Sequence, residues 1–357
     1  MRKQENEAVG IKDIAQKANV SIGTVDRVLH NRGEVAKATR ERVLKIIEEL
    51  DYTPNILAQS LASKKKKHHI AVLIPNFKNN NPYWERPLAG IYQAAGEIKN
   101  YNFEITVYTY ELGNEKSVTS NAKEIFKQKP DGLIFAPLMY NVSNKVINQC
   151  QELNIPYVFI DVNIDNRINL AYFGQNSFQS GYVAARLLDY GLSAEAEIHI
   201  IKLVNKSVSS YHLSLRENGF LSYFKTAENK EKRIIISNEI DISENTAIYK
   251  AFNKIIAKSV SSKGIFVPNS RVYHLAKYLE ESKQMNNLVI GYDLINENLY
   301  YLKKDVINFL ISQQPEAQGY NSVIALFSFL TTKKPLQKFN FSPIDIIIKE
   351  NIDFYSK

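Results

Sequence analysis

The chain has 357 residues, 45% of them apolar and 23% charged, which is enough for two or three domains with sizeable cores and excludes a disordered or collagenous chain. No apolar run approaches the roughly 20 residues of a membrane span. The polar N-terminus lacks the apolar stretch of a secretory signal, and the single cysteine, Cys150, excludes an internal disulfide framework and suits a reducing cytoplasm. Of the formal net charge of +8, +5 lies in residues 1–67, with Lys64–Lys67 the main source. A basic terminal module beside a nearly neutral body points either to a polyanion partner for that module or to a solvated surface run.

The first elements are helical. Ile11, Ile14, Ala15 and Ala18 recur at i, i+3, i+4 and i+7, one face of a short helix. Asn19 tolerates a left-handed turn, and Ser21 is placed to N-cap a second helix, Ile22–Leu29. Two short helices joined this way form a helix-turn-helix, whose second helix enters the major groove of DNA. A third helix, Thr39–Leu50, turns Val43, Ile46, Ile47 and Leu50 inward. The pattern alone defines a small helical bundle, of which DNA binding is one use.

After the lysine run, short β-branched runs alternate with amphipathic stretches. Strands are predicted at His69–Ile74, Phe103–Tyr108, Gly132–Ala136, Pro156–Ile160, Leu170–Phe173, Glu197–Leu203, Arg233–Ser237, Gly264–Val267, Asn287–Gly291 and Val306–Ile311. Helices are predicted near Pro82–Lys99, Glu115–Gln128, Val142–Leu153, Tyr211–Lys225, Glu244–Lys258 and Val272–Glu281, and the pair His68 and His69 reads as linker. This alternation signals βαβ units and parallel sheets, and the count exceeds one sheet, so two α/β subdomains are expected.

Four segments carry a resemblance. Ile11–Ala15 (IKDIA), Val20–Asn31 (VSIGTVDRVLHN), Thr39–Val43 (TRERV) and Leu50–Ala62 (LDYTPNILAQSLA) are similar to the headpiece and hinge of LacI/GalR-type transcriptional regulators. The alternating body resembles that family's periplasmic-binding-protein-like effector domain. The resemblance implies an α/β protein with a helix-turn-helix headpiece over residues 10–54, a hinge helix and basic linker over 55–68, and a two-subdomain body with parallel sheets flanked by helices over 69–357. Subdomain 1 would comprise about 69–162 and 294–326, and subdomain 2 about 163–293 and 327–357.

The resemblance also assigns DNA contacts. Ile22 and Gly23 open the recognition helix, offering an apolar contact suited to a thymine methyl and a close backbone approach, and Arg27 reaches guanine. Ser21, Thr24 and Asn31 suit phosphate contacts, which set register. Leu61 matches a leucine wedge in the minor groove and Ala58 its small neighbour, while Lys64–Lys67 lies beside the DNA backbone. The plainer alternatives are a core position for Ile22, a surface ion pair for Arg27 and a linker helix packed on the body for residues 54–63. Two residues depart from the family pattern: Asp26 stands where a small hydroxyl residue is common, and Gly10 where a Thr or Ser cap is common.

In open α/β sheets, ligands bind beyond the carboxyl ends of strands. Tyr83 and Trp84 resemble an aromatic segment that stacks on sugar rings, and Arg216 matches an arginine that reaches the ligand. Asp161, Gln175, Asn176, Asn269, Asp293 and Gln313 follow predicted strands. Carboxylates, amides and a guanidinium around an aromatic platform suit a polyhydroxylated ligand, because each hydroxyl both donates and accepts. Helix capping by Asp161 and Asp293 and a core position for Trp84 are the alternatives, and Val162 stands where sugar binders often carry a second arginine. Isolated glycines form no phosphate loop, the six histidines and Cys150 have no metal-ligand spacing, and no nucleophile elbow occurs. The expectation is a cytoplasmic, homodimeric DNA-binding regulator, without catalytic residues, metal or cofactor. It would bind a near-palindromic operator under control of a sugar or polyol effector, with a sugar-binding transport receptor of the same fold as the alternative.

Overall fold

A computed structural model of the chain describes residues 10–29, 33, 35–50, 67–77, 82–204, 211–225, 233–242, 245–256 and 262–355. Asn31, Ala58 and Leu61 lie outside them, as does the expected hinge apart from its last two residues, 67 and 68. The chain divides into two compact units, residues 1–66 and 67–357.

In the first unit, helices α1 (Ile11–Lys17), α2 (Ile22–Leu29) and α3 (Lys37–Glu49) close around Ile14, Ala15, Ala18, Val25, Val28, Val43 and Ile46. Asn19 takes the left-handed conformation (φ 51°) that ends the α1 segment. Ser21 Oγ accepts the amide of Thr24 at 3.1 Å, the N-cap its hydroxyl predicts. Gly10 has no side chain to cap α1, and Asp13 compensates by accepting the Gly10 amide at 2.7 Å.

The second unit contains strands β1 (His68–Pro75), β2 (Phe103–Tyr110), β3 (Gly132–Phe135), β4 (Tyr157–Ile160), β5 (Ala171–Gln175), β6 (Ile198–Val204), β7 (Ile235–Asp241), β8 (Gly264–Phe266), β9 (Leu288–Tyr292), β10 (Phe309–Ser312), β11 (Phe339–Ser342) and β12 (Asp345–Ile347). Its helices are α4 (Glu85–Ile98), α5 (Glu115–Lys127), α6 (Tyr140–Glu152), α7 (Ser177–Gly191), α8 (Tyr211–Lys225), α9 (Asn245–Ile256), α10 (Val272–Glu281), α11 (Asn296–Lys303) and α12 (Pro315–Thr332). One sheet has the order β11-β5-β4-β3-β1-β2 and is parallel throughout; the other has the order β12-β10-β9-β8-β6-β7, with only β12 antiparallel. Helices cover both faces, so central strands are apolar on both sides, as in Ile70–Ile74 of β1, all fully buried.

Two sequence expectations change here. His68 and His69 are strand rather than linker: the His68 ring stacks on Phe103 at 4.7 Å, and the His69 amide donates to Asp131 Oδ2 at 3.0 Å. The lobes also exchange chain later than residue 162. β5 remains in the first sheet, joined to β4 by an irregular connection in place of the helix that a parallel crossover usually needs. β10, expected in subdomain 1, pairs with β9 in the second sheet, and β11, expected in subdomain 2, pairs with β5. The chain therefore crosses between lobes near residue 176, near residues 313–314 and at residues 343–344.

Glycines set two close helix contacts. A Cβ on Gly90 of α4 would lie 2.0 Å from the Glu316 carbonyl of α12, and one on Gly319 of α12 would lie 2.1 Å from that of Pro87. In the second lobe, Gly181 of α7 and Gly219 of α8 meet Arg216 and Phe178 carbonyls at 1.9 and 1.8 Å in the same way. The second contact fixes where α8 presents Arg216.

Candidate functional site

On α2, the inward residues Val25 and Val28 are buried, whereas Ile22 is 47% exposed and Ser21, Gly23 and Arg27 are also exposed. Ile22 is thus a surface residue, not a core one. Gly23 and Arg27, four apart, share an exposed ridge with the apolar Ile22 at the helix start. Ser21 Oγ and Thr24 Oγ1 lie 2.9 Å apart, so the two hydroxyls form one polar end to the helix.

In the second unit, the candidate residues gather at the carboxyl ends of both sheets. Asp161 follows β4 and Asp293 follows β9, both in left-handed backbone (φ 65° and 69°). Tyr83 donates its hydroxyl to Asp161 Oδ1 at 2.6 Å. Gln313 Nε2 donates to both oxygens of Asp293, at 2.9 and 3.1 Å, and its Oε1 accepts from Arg216 Nη2 at 2.5 Å. Arg216 also donates to the Pro268 carbonyl at 2.7 Å and lies 3.9 Å above the Tyr292 ring. Arg216, Asp293 and Gln313 are each under 5% exposed. Arg216 and both carboxylates thus sit within electrostatic reach of one another in a medium where charge is poorly screened.

Burial dominates the titrations. Desolvation pushes Asp293 up to about 7, against the opposing pull of Arg216 and the Gln313 hydrogen bond. Desolvation also raises Asp161, while the Tyr83 hydrogen bond and Arg216 lower it. Tyr83 is raised by burial, then by Asp161 and Asp293. The site is a set of hydroxyl-compatible donors and acceptors with two carboxyl groups reluctant to ionise.

Other predicted residues are occupied structurally. Trp84 is 2% exposed and packs edge-on against Tyr83 at 5.3 Å. Asn269 donates to the Leu203 carbonyl at 2.7 Å and accepts the Arg271 amide, pinning the end of β8 to β6. Asn176 caps α7 by accepting the Gln179 amide at 3.0 Å. Gln175 donates to the carbonyls of Ser312 and Pro343, both at 3.0 Å, so its amide staples the three crossovers together. Gln175 and Asn176 still line a cavity of about 160 Å³ with Asp161, Val162, His212 and Phe341.

Sequence reasoning passed over four residues of this region. His212 stands one helical turn before Arg216 on α8, a spacing that could have drawn attention to it. Arg271 follows Asn269 at the end of β8, and Tyr172 donates its hydroxyl to the carbonyl of Asp161 at 3.0 Å. Arg86, on α4, donates to Glu316 and to the Leu294 carbonyl, joining the first lobe to the residue after Asp293. Among the described residues, no group of three or more His, Cys, Asp or Glu could hold a metal ion, and no helix is long and apolar enough to cross a membrane.

Residues 10–55 match the family described as bacterial regulatory proteins, lacI family, and residues 70–334 match the periplasmic binding protein domain. The crystal structure of a candidate LacI transcriptional regulator from Bacteroides fragilis is 32% identical, with a TM-score of 0.73 over 81% of this chain and 100% of that one. The chain belongs to the LacI family. Curated proteins similar to this LacI-family chain include the sucrose operon repressor of Escherichia coli, 30% identical over 36% of this chain and 37% of that protein. The ribose operon repressor of Halalkalibacterium halodurans is 28% identical over 68% and 66%, and catabolite control protein A of Streptococcus mutans 31% identical over 43% of each. The chain thus spans less than two thirds of the length of these curated relatives. GanP, a glucose-galactose binding protein from Geobacillus stearothermophilus, shares the fold of the body at 23% identity and a TM-score of 0.67, covering 80% of this chain and 99% of that one.

Proposed function

We propose that this LacI-family chain is a cytoplasmic transcriptional repressor that binds a near-palindromic operator as a homodimer and responds to a sugar or polyol held between the lobes of its body. The observation that carries the effector reading is the buried trio Arg216, Gln313 and Asp293, linked by hydrogen bonds at the strand ends of the second lobe, with the half-buried Asp161 at the strand end of the first. The exposed edge Ile22, Gly23 and Arg27 on α2 supplies the base-reading surface, with Ser21, Thr24 and Asn31 to phosphates. Ala58 and Leu61 take the hinge role that the resemblance implies, a wedge at the operator centre.

The mechanism is linkage: a ligand that binds one lobe arrangement better than another biases the headpieces by no more than that difference in affinity. Selection of duplexes from a random library by the full chain, followed by fluorescence anisotropy with and without a panel of sugars and polyols, tests the proposal. The expected result is a two-fold-symmetric consensus whose affinity changes with one class of sugar. Absence of a sequence preference overturns the DNA reading, and a consensus whose affinity no sugar or polyol alters overturns the effector reading.

A further inference from the structure

Four cations withdrawn from water in the body have carboxylate partners: Arg86 with Glu316, Lys202 with Glu217 at 2.7 Å, Arg233 with Asp189 at 2.7 Å and Lys263 with Glu197 at 3.1 Å. Two guanidiniums at the second lobe's strand ends differ. Arg216, 3% exposed, is held by a carbonyl, an amide oxygen and an aromatic face, and its Nε has no partner among the described residues. Arg271 gives Nη1 to the Leu203 carbonyl at 3.4 Å and makes no ion pair among the described residues, although burial lowers its pKa. Neither guanidinium makes an ion pair among the described residues, and burial makes the nearby Asp161 and Asp293 reluctant to ionise, so an anion arriving from solution gains from both.

Arg216 bonds the Pro268 carbonyl and Arg271 the Leu203 carbonyl to which Asn269 also donates, so the two cations share the ends of β6 and β8. His212 lies a helical turn from Arg216 on α8 and lines the cavity that holds Asp161. Burial, with the charges of Arg216 and Arg271, lowers its pKa to about 3. The imidazole is therefore neutral at physiological pH, with one ring N–H to donate and no charge to compete. Asp161 and Asp293 lie within electrostatic reach of Arg216, ready for hydroxyls.

The geometry points to an anion-receiving corner at His212, Arg216 and Arg271, so that the effector is a carbohydrate carrying a carboxylate or a phosphate. Its hydroxyls go to Asp161 and Asp293, its anionic group to the guanidiniums. This deepens, and rests on, the reading of the cleft as a sugar site.

Isothermal titration of the full chain with matched pairs reads the inference directly: galactose against galacturonate, and glucose against glucuronate and glucose 6-phosphate. One anionic member should bind about tenfold or more tighter than its neutral parent, a preference that declines with added salt. The uronate and phosphate arms separate the two anionic groups. Arg271→Gln should bring the ratio close to one, and Arg271→Lys should keep part of it. Should Arg271→Gln fail to fold, the wild-type ratio and its salt dependence decide the matter. Neutral sugars binding as tightly as their anionic partners overturn the inference alone. Failure of every carbohydrate, neutral or anionic, to bind overturns the sugar reading beneath it.

Discussion

Asp161 and Asp293 occupy matching places in the two lobes, each closing a central strand with a positive φ. A left-handed conformation is uncommon outside glycine, though Asp and Asn adopt it most readily, and such residues collect where a site requires them. For Asp293 the burial that aids hydrogen bonding carries a pH signature. An ordinary Asp titrates near 3.8 and Asp293 near 7. Below the lower value both folded and unfolded chains hold the proton. Between the two the unfolded chain has released it while the folded chain retains it, so stability falls as pH rises through this window. Asp293→Asn removes that loss. Its melting temperature should therefore rise relative to wild type between pH 4 and pH 8. The gap should reach a few kcal/mol at most, because each tenfold difference in proton affinity is worth about 1.4 kcal/mol. Parallel pH profiles for the two proteins would refute the raised titration. On the DNA side, Arg27→Ala should cost about 1–3 kcal/mol in operator affinity and relax preference at one base pair; binding measured across single-base variants of the selected site checks both. The strand-end carboxylates were legible because a strand's carboxyl end is a position that sequence reveals. The staple made by Gln175 was not, since its partners Ser312 and Pro343 are remote in sequence.

Helices α7 and α12 left little trace in the periodicity for a shared reason. The buried face of α7 is Ser180, Gly181, Ala184, Ala185 and Leu188, small residues that weaken its contrast with the outer face. In α12 the buried face joins Gln318, Gly319 and Ser322 to Val323, Leu326, Phe327 and Leu330, while Ile324, Ala325 and Phe329 make the other side apolar too, which erases the contrast on which an amphipathic reading depends. The same small residues let each helix approach its partner backbone to backbone. Gly219→Ala should therefore drive α8 from α7, because its new Cβ would meet the Phe178 carbonyl at 1.8 Å, a backbone atom that cannot rotate away. The expected cost is about 1–3 kcal/mol in urea unfolding, with weaker ligand binding because α8 carries Arg216. Gly96→Ala on α4 is the control: its added methyl has nothing within 4 Å, and helix propensity should stabilise the protein by about 0.5–1 kcal/mol. Equal effects of the two substitutions would show that propensity, not helix contact, governs position 219.

At the scale of the whole body, two α/β lobes followed from the number of alternating elements, whereas the points of exchange between them did not. β5, β11 and β12 have three to five residues each, and their sheet membership depends on pairing rather than on local pattern. Side chains on opposite lobes bridge them beside those crossovers. Besides Arg86 on the Leu294 carbonyl, Tyr211 of α8 donates its hydroxyl to Asp165 Oδ2 at 2.7 Å, in the connection between β4 and β5. Separating the lobes breaks this bond, so it favours the arrangement in which the strand-end residues converge. Tyr211→Phe deletes the hydroxyl and keeps the ring. Because the bond is solvent-accessible, its loss should cost about 1 kcal/mol or less of lobe closure. Apparent affinity scales with the fraction of protein in the binding-competent arrangement, so ligand Kd should rise by up to about fivefold. The change should appear as faster dissociation, because the bond forms once the lobes have met. A hydroxyl that served only the fold would lower the melting temperature of the free protein and leave dissociation untouched. Stopped-flow displacement of the sugar identified by titration, set beside the free protein's melting curve, separates the two: an accelerated release with an unchanged melting temperature is expected, and an unchanged release rate would remove Tyr211 from the closing of the lobes.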